Sequence, residues 1–136
     1  MVRDIIKLPF MLMREGDDAT PQDVPIAQDL LDTLAFHASD CVGMAANMIG
    51  QNKRIIVFND GTRNREMFNP QVVKGFQPYD TKEGCLSLAG MRPAKRYKRI
   101  VVRYQDRAFA WHEETFVDFT AQIIQHEVDH TNGVLI

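Results

Sequence analysis

The chain has 136 residues, of which 45% are hydrophobic, and this suits a single globular domain spanning residues 1–136 with a core of ordinary size. Its net charge of -2 gives no electrostatic reason to expect direct binding to nucleic acid or to an anionic membrane. No apolar run approaches the roughly 20 residues that span a bilayer, and the N-terminus lacks the apolar stretch of a signal peptide, so we expect a cytoplasmic protein.

The N-terminal part of the chain predicts a loop followed by a helix. Residues 15–25 are polar and contain two prolines, so we expect them to form a surface loop. The next apolar residues recur at the spacing of one helix face, which predicts a helix ending near Ser39 and Asp40. These apolar residues are Ile26, Leu30, Leu31 and Leu34.

The middle of the chain predicts strands, because runs rich in β-branched and aromatic residues alternate with turn residues. Strands followed by a packed helix indicate an α+β fold with largely antiparallel β-sheets. Trp111, on the last strand, is expected in the core. The predicted strands are Arg54–Phe58, closed by a turn at residues 59–61; residues 67–73, broken by Pro70; a hairpin of Ile100–Tyr104 and Ala108–Val117 around residues 105–107; and a short C-terminal strand at residues 134–136.

The last predicted helix contains an H-E-x-x-H run formed by His126, Glu127 and His130. Four helical steps overshoot one full turn by only about 40°, so the two histidines share one face. Two imidazoles on one face can bind one divalent metal ion, with Glu127 beside it to handle a proton. The alternative is an amphipathic helix with two polar residues near its end.

The surrounding sequence supports this helix. Asp118 is the expected N-cap, residues 119–130 contain no Gly or Pro, and Asn132-Gly133 is a C-terminal stop. Phe119 and Ile123 fall near the face of the histidines, so we expect that face to meet the core. The helix is therefore predicted to be the element around which the sheets pack.

A third metal ligand is expected from Cys85. The chain has two cysteines, too few for a disulfide scaffold, so we expect thiols. In Glu83-Gly84-Cys85-Leu86-Ser87, Gly84 would let the backbone bend beside a metal, and Leu86-Ser87 could continue as a strand. A thiolate with two imidazoles leaves one position for water, as in catalytic sites. The alternative is that Cys85 is a small buried apolar side chain.

The segment from Cys41 to Met48 is rich in small residues at Gly43, Ala45 and Ala46. Such residues let the backbone approach another group closely, either a packed helix or a bound peptide. By itself this segment is more typical of close packing against another element than of peptide binding.

These three segments, in this order, resemble the motifs of the peptide deformylases. That family has Gly-x-Gly-x-Ala-Ala-x-Gln, then Glu-Gly-Cys-Leu-Ser, then Gln-His-Glu-x-x-His. The second motif is complete at residues 83–87 and the third at residues 125–130. The first has two departures, because Cys41 replaces its first Gly and Met48 replaces its Gln. The resemblance covers nearly the whole chain.

The resemblance implies a metal-dependent hydrolase that removes the formyl group from the N-terminal formyl-methionine of new bacterial proteins, an N-terminal processing step of protein biosynthesis. Cys85, His126 and His130 would hold one divalent ion, commonly Fe²⁺, with Ni²⁺, Co²⁺ or Zn²⁺ as substitutes. The ion would lower the pKa of its water, and Glu127 would take the proton and return it to the leaving amine. The backbone N–H of Leu86 would bind the developing oxyanion, together with the Gln of the first motif.

That Gln is Met48 in this chain, and a thioether cannot donate a hydrogen bond to an oxyanion. Losing one such donor typically lowers the rate by a factor of about 10² to 10³. Asn47 or Gln51 could replace it only if the backbone re-aims the side chain. Two interpretations follow: a deformylase with an altered pocket and a reduced rate, or a metal-binding relative that has lost its activity on formyl-peptides.

The resemblance also implies a peptide site of two parts. The backbone of the first motif would pair with the peptide as an added strand, and the methionine side chain would enter an adaptable apolar pocket. Four basic residues nearby are expected on a solvated face, and their charge could favour transient contact with the ribosome. The expected peptide-site residues are Val42, Gly43, Met44, Met48, Phe119, Ile123 and His126, with Arg92 either near the peptide or solvated; the basic residues are Lys95, Arg96, Lys98 and Arg99.

Two other classes of protein also fit an H-E-x-x-H run. A zinc endopeptidase usually takes a third His or carboxylate ligand downstream, but none of the six residues after His130 is His, Asp or Glu. A purely structural metal site would have no use for Glu127 beside an open coordination position. Both alternatives are therefore weaker than the hydrolase.

Overall fold

The computed structural model describes residues 1–136 and has the predicted α+β architecture. One five-stranded antiparallel sheet, in which every strand lies beside its neighbour in the chain, has a helix on each face. Neither helix has the length and apolar character needed to cross a membrane. The elements are α1 Val24–Phe36, β1 Gly43–Ala45, β2 Ile55–Asn59, β3 Asn64–Gly84, β4 Met91–Gln105, β5 Trp111–Val117 and α2 Asp118–Thr131, with short 3-10 turns at Pro9–Leu12, Pro21–Asp23 and Ala46–Ile49.

The alternation of side chains along β2 divides the core into two clusters. Ile56 and Phe58 point towards α2, whereas Ile55 and Val57 point towards α1. All four side chains are fully buried. Because β2 is apolar on both faces, it packs against α1 on one side of the sheet and against α2 on the other. The α2 cluster also contains Met67, Ile100, Val102, Phe116, Ile124 and Val128, and the α1 cluster also contains Leu30, Leu34, Met44, Met48 and Phe68.

Several predicted elements are confirmed with small shifts in their ends. The first helix ends at Phe36, earlier than predicted, and Pro25 lies in its first turn, where a proline costs no hydrogen bond. The predicted strand at 54–58 is β2, and the predicted C-terminal hairpin is β4 with β5. The helix with the histidines is α2.

The prediction that Pro70 breaks the second strand is wrong. β3 continues through it to Gly84, with shifts of register between Phe68 and Gln71 and between Val72 and Lys74. Asn69 has a φ of 51°, so the chain forms a bulge where Pro70 cannot donate to the ladder. The long extension of β3 paired with β4 was not predicted, because its exposed residues are polar.

Five smaller predictions around the site are also wrong. The side chain of Asp118 makes no capping hydrogen bond, because Asp118 lies inside α2 with a φ of 53° and Val117 precedes the helix. Phe119 is 61% exposed and Trp111 is 47% exposed, with the Arg103 guanidinium 4.0 Å from the Trp111 ring centroid. Neither aromatic residue lies in the core. Residues 86–87 and residues 134–136 form no strand, although Ile136 is buried.

Gly133 stops α2 and lets the N-terminal segment lie against the end of this helix. Its φ is 76°, its N–H donates to the carbonyl of His130, and an added Cβ would lie 2.6 Å from the carbonyl oxygen of Met13. We expect Gly133→Ala to lower the free energy of unfolding, measured in urea, by at least about 2 kcal/mol, from backbone strain of roughly 1 kcal/mol plus the clash.

Gly90 provides a matched control for this prediction. Its φ of 77° is nearly the same, but an added Cβ there would have no neighbour within 4 Å. Gly90→Ala should therefore show the strain without the clash. Equal losses in the two variants would mean that contact with Met13 contributes nothing.

Candidate functional site

The two histidines of α2 lie side by side and are both buried. Their ring centroids are 4.9 Å apart, and the Nε2 atoms of His126 and His130 are separated by 3.2 Å. The Sγ of Cys85 is 3.4 Å from Nε2 of His130, and the three donor atoms all lie within 4.8 Å of one another. Three soft or borderline donors therefore converge on one point.

These separations fit one tetrahedral metal ion. Donors at about 2.0 to 2.1 Å for imidazole nitrogen and about 2.3 Å for thiolate sulfur lie roughly 3.3 to 3.6 Å apart at tetrahedral angles. The observed distances of 3.2 and 3.4 Å are close to that range. The donor set of Cys85, His126 and His130 could therefore hold a metal without a large rearrangement, and no fourth protein donor belongs to the group.

Cys85 follows β3 directly, and the chain leaves the sheet at this point. Gly84 is the last residue of β3 and pairs with Met91, and its φ is not positive. A side chain at Gly84 would lie 3.0 Å from the Met91 sulfur. The glycine is thus explained by close approach to β4, and the predicted bend beside Cys85 begins only after it.

Glu83 connects the strand end to α2, and the sequence did not assign it a role. Its carboxylate accepts hydrogen bonds from His126 Nδ1 at 2.9 Å, from Arg96 Nη2 at 2.7 Å and from Gln122 Nε2 at 2.9 Å. Burial alone would raise the pKa of Glu83, but these donors lower it to about 2. The bond to Nδ1 fixes the ring of His126 with Nε2 turned towards the other two donors.

Arg96 is buried, so its assignment to a solvated face is wrong. It pairs with Glu83 and, through Nη1, with Asp129 at 2.7 Å. Arg96 shares a face of β4 with Ile100 and Val102, but the exposed Lys98 has the same parity, so alternation along the strand did not predict that Arg96 is buried. Lys95, Lys98 and Arg99 are exposed as expected.

The two histidines have opposite pKa shifts. Burial would lower the pKa of His126, but its hydrogen bonds with Cys85 and Glu83 raise it to about 10. Burial and the charge of His126 lower the pKa of His130 to about 3, so that ring is neutral at pH 7. The pKa shifts differ in sign because the hydrogen bonds with Cys85 and Glu83 outweigh the burial of His126, whereas nothing outweighs the burial of His130.

Glu127 lies next to the donor group in a confined environment. Its Oε1 is buried and has no hydrogen-bond partner in the protein. Burial raises the pKa of Glu127 to about 7, which suits a group that accepts and donates protons near neutral pH. A Cβ on Gly43 would lie 2.9 Å from Glu127 Oε2 and 2.6 Å from Ile123, so only glycine fits beneath this carboxylate.

A cavity of about 270 Å³ opens beside these groups. Arg92 and Met44 lie outside it: Arg92 is half-buried and donates to the carbonyl of Ala89, and Met44 is fully buried in the α1 cluster. The other predicted peptide-site residues line the cavity, namely Val42, Gly43, Met48, Phe119, Ile123 and His126, together with Cys41, Cys85, Leu86 and Glu127.

Met48 lines this cavity, but its side chain packs in the α1 cluster and is only 1% exposed. Its Sδ accepts a hydrogen bond from the N–H of Ala45 at 3.4 Å. Asn47 donates from Nδ2 to the carbonyl of His130 at 2.7 Å, and Gln51 is exposed. Neither amide is therefore aimed at the cavity to replace the Gln of the first motif.

Two further groups at the cavity carry hydrogen-bonding capacity. The backbone N–H of Leu86 has no partner within the protein, while its carbonyl accepts a bond from Lys7 Nζ at 2.8 Å. The thiol of Cys41 donates to the carbonyl of Gly43 at 3.1 Å, and burial raises the pKa of Cys41 to about 11. At pH 7 this thiol keeps its proton.

An α+β fold in which an H-E-x-x-H helix, a cysteine and an open cavity meet defines a class of metal-dependent hydrolases. The family model of polypeptide deformylase matches residues 3–136. A peptide deformylase of Clostridium beijerinckii is 47% identical over 136 residues, covering 100% of both chains. That of Pseudothermotoga lettingae is 38% identical over 114 residues, covering 82% of this chain and 65% of the relative.

Solved structures agree with these sequence matches. The crystal structure of peptide deformylase from Thermotoga maritima superposes with a TM-score of 0.89 and 28% identity, covering 99% of this chain and 95% of that one. The chain therefore belongs to the peptide deformylase family and has the function of a deformylase, as the three motifs predicted. Nothing in these matches indicates a reduced activity, and they do not support the zinc-endopeptidase or purely structural alternatives.

The contacts of Glu83 generate a prediction about metal affinity. Glu83→Gln removes the charge that pairs with Arg96 and weakens the bond that orients His126, so we expect zinc affinity to fall by about 10- to 100-fold. Competition with a chromogenic chelator measures this change. Asp80→Asn, at an exposed carboxylate of the same strand, should leave the affinity unchanged. A Glu83→Gln protein that folds and retains wild-type affinity would contradict the orienting role.

Proposed function

We propose that this chain removes the N-formyl group from formyl-methionyl peptides of newly made proteins, and that residues 1–136 act as one domain. The observation that carries the proposal is the convergence of Cys85, His126 and His130 beside the unpartnered carboxylate of Glu127. The family match over residues 3–136, and a relative covered along its whole length, support a single domain.

The residues that would hold the metal are Cys85, His126 and His130, and one divalent ion fits their spacing. A thiolate with two imidazoles suits Fe²⁺, which we propose as the ion used, and also Ni²⁺, Co²⁺ or Zn²⁺. When bound, the ion supplies Lewis-acid chemistry, polarising the formyl oxygen and lowering the pKa of a water to about neutral.

Glu127 would act as the general acid and base. Its Oε1 has no competing partner, and its pKa of about 7 lets it accept a proton from the attacking water and then donate it to the leaving amine. Glu83, which accepts a hydrogen bond from His126, stays ionised and would take no part in this transfer. The two buried carboxyl groups thus have different roles because their hydrogen-bond partners differ.

The oxyanion that develops on the formyl group needs a donor, and the backbone N–H of Leu86 is proposed for this role. This N–H lacks a protein partner and lines the cavity beside Cys85. The bond from Lys7 to the Leu86 carbonyl would hold the peptide plane in place. A fixed backbone donor stabilises developing charge without reorganising during the reaction.

The methionine side chain would bind in the cavity against Phe119, Ile123 and the ring of His126. Phe119 is exposed in the protein alone, so a ligand could cover an aromatic surface that the core does not use. Val42, Gly43 and Met48 also line the cavity. We propose that the backbone of this segment pairs with the peptide backbone.

The cellular setting follows from the substrate. Formylated chains are made in the bacterial cytoplasm, so we propose a cytoplasmic enzyme that meets its substrates near the ribosome. The exposed side chains of Lys95, Lys98 and Arg99 supply positive charge that would favour transient contact there.

The test of this function is turnover of formyl-Met-Ala-Ser by protein purified anaerobically with Fe²⁺, since thiolate sites oxidise readily.

Glu127→Gln should keep the metal and lower kcat by at least about 10²-fold, because the amide cannot accept the proton. Glu113→Gln, at an exposed position on β5, should retain the wild-type rate. Wild-type protein that carries its metal without turnover would refute the function, and a fully active Glu127→Gln would refute the mechanism.

Met48→Gln tests whether a second oxyanion donor is missing. The new amide oxygen can accept the N–H of Ala45, as the sulfur does, which would turn its NH₂ group towards the cavity. We expect kcat to rise, by up to about 10²- to 10³-fold if no other donor compensates, with metal affinity unchanged. A large gain would favour the interpretation of a reduced rate in the wild-type chain. No gain in fully loaded protein would mean that the wild-type site already has its full set of donors.

A further inference from the structure

The two histidines of the donor group differ in what holds their second ring nitrogen. Nε2 of His130 faces the other donors, 3.2 Å from Nε2 of His126 and 3.4 Å from Sγ of Cys85. Nδ1 of His130 is buried and has no hydrogen-bond partner in the protein, whereas Nδ1 of His126 is bonded to Glu83. A histidine that binds a metal almost always donates its other N–H to an acceptor. His130 therefore needs an acceptor of its own.

Asn47 is a side chain from outside α2 that is bonded to His130. Its Nδ2 donates to the carbonyl of His130 at 2.7 Å, although 83 positions separate the two residues in the chain. Asn47 is only 5% exposed and His130 is fully buried, so bulk water does not compete for this bond. Asn47 occupies a position that the first family motif leaves variable, and the motif therefore gives it no role.

The oxygen of the same amide is also buried and unpartnered. Asn47 Oδ1 and His130 Nδ1 are both among the buried side-chain atoms that make no hydrogen bond within the protein. An imidazole that binds a metal through Nε2 carries its proton on Nδ1, so this nitrogen becomes a donor. An amide oxygen is an acceptor. The two unpartnered atoms are therefore complementary, and they belong to residues that are already bonded to each other.

We infer that Asn47 is a positioning residue for His130. Its amide nitrogen holds the backbone of this ligand, and its oxygen accepts the Nδ1 proton, directly or through one buried water molecule. Asn47 thus acts on His130 as Glu83 acts on His126, with a neutral acceptor in place of a carboxylate. The inference rests on the metal site of the proposed function and deepens it, because it names the residue that orients the second histidine.

Two substitutions of nearly equal shape separate the two bonds of Asn47. Asn47→Leu removes both the donor and the acceptor, and we expect zinc affinity, measured by competition with a chromogenic chelator, to fall by about 10-fold. Asn47→Asp removes the donor but keeps an acceptor oxygen, so its zinc affinity should stay within about threefold of the wild-type value.

Thr131→Val is the matched control for a bond that only stabilises the same end of α2. The buried hydroxyl of Thr131 donates to the carbonyl of Val128 at 2.6 Å in the last turn of this helix. Its loss should lower the free energy of unfolding and leave zinc affinity unchanged. Asn47→Leu should change both quantities.

NMR of ¹⁵N-labelled imidazole rings in the zinc protein reports on the ring itself. In the wild-type protein we expect the Nδ1 proton of His130 to have the downfield shift of a hydrogen-bonded N–H. In Asn47→Leu this proton should move upfield, while the Nδ1 proton of His126, which is bonded to Glu83, keeps its shift and serves as the internal reference. The shifts decide the question if Asn47→Asp does not fold.

Three results would overturn the inference. They are wild-type zinc affinity in Asn47→Leu, equal losses of affinity in Asn47→Leu and Asn47→Asp, and a wild-type His130 Nδ1 proton with the shift of a free N–H. In each case Asn47 only anchors the end of α2. Zinc binding without turnover would refute the proposed function and leave this inference standing, whereas a wild-type chain that binds no zinc would refute both.

Discussion

The carboxylate of Glu83 is the interaction on which the rest of the site depends. It lies at the end of β3, and its bonds reach β4 through Arg96 and α2 through His126 and Gln122. A buried charge is costly unless its oxygens accept strong donors, and here each oxygen does. The same bonds fix the ring of His126 and hold α2 against the strand end from which Cys85 follows. Donor atoms from distant parts of the chain can therefore meet at distances of 3.2 to 3.4 Å.

The site also depends on two buried carboxyl groups with different environments. Glu83 accepts bonds from an arginine, a histidine and an amide, and its pKa is lowered to about 2. Glu127 has an oxygen with no partner, and burial raises its pKa to about 7. Burial is common to both groups, so the hydrogen-bond donors decide which one stays ionised and which one can exchange a proton. The anion, Glu83, is hydrogen-bonded to His126, and the titrating acid, Glu127, is the next residue after His126 in the chain.

Of the three family motifs, only the first is altered in this chain, and its altered positions lie in the cavity of the catalytic carboxylate. Gly43 is retained, because Ile123 and Glu127 leave no room for a Cβ there. Cys41 and Met48 stand where the motif has Gly and Gln, and both line the cavity that Glu127 also lines. The three donor residues match their motifs, so the differences from the motifs affect the cavity and leave the donor set unchanged.

The sequence by itself determined that His126 and His130 share one face of a helix, because that relation depends only on the helical period. The order of three motifs likewise identified the family, and two strand-like runs on either side of residues 105–107 located the last hairpin. Only the tertiary structure decided that Arg96 is buried and Phe119 exposed, because each outcome depends on partners far away in the chain. Local spacing fixes which residues lie on one face of an element. Which face is buried, and what its charged groups meet there, depends on contacts between distant segments.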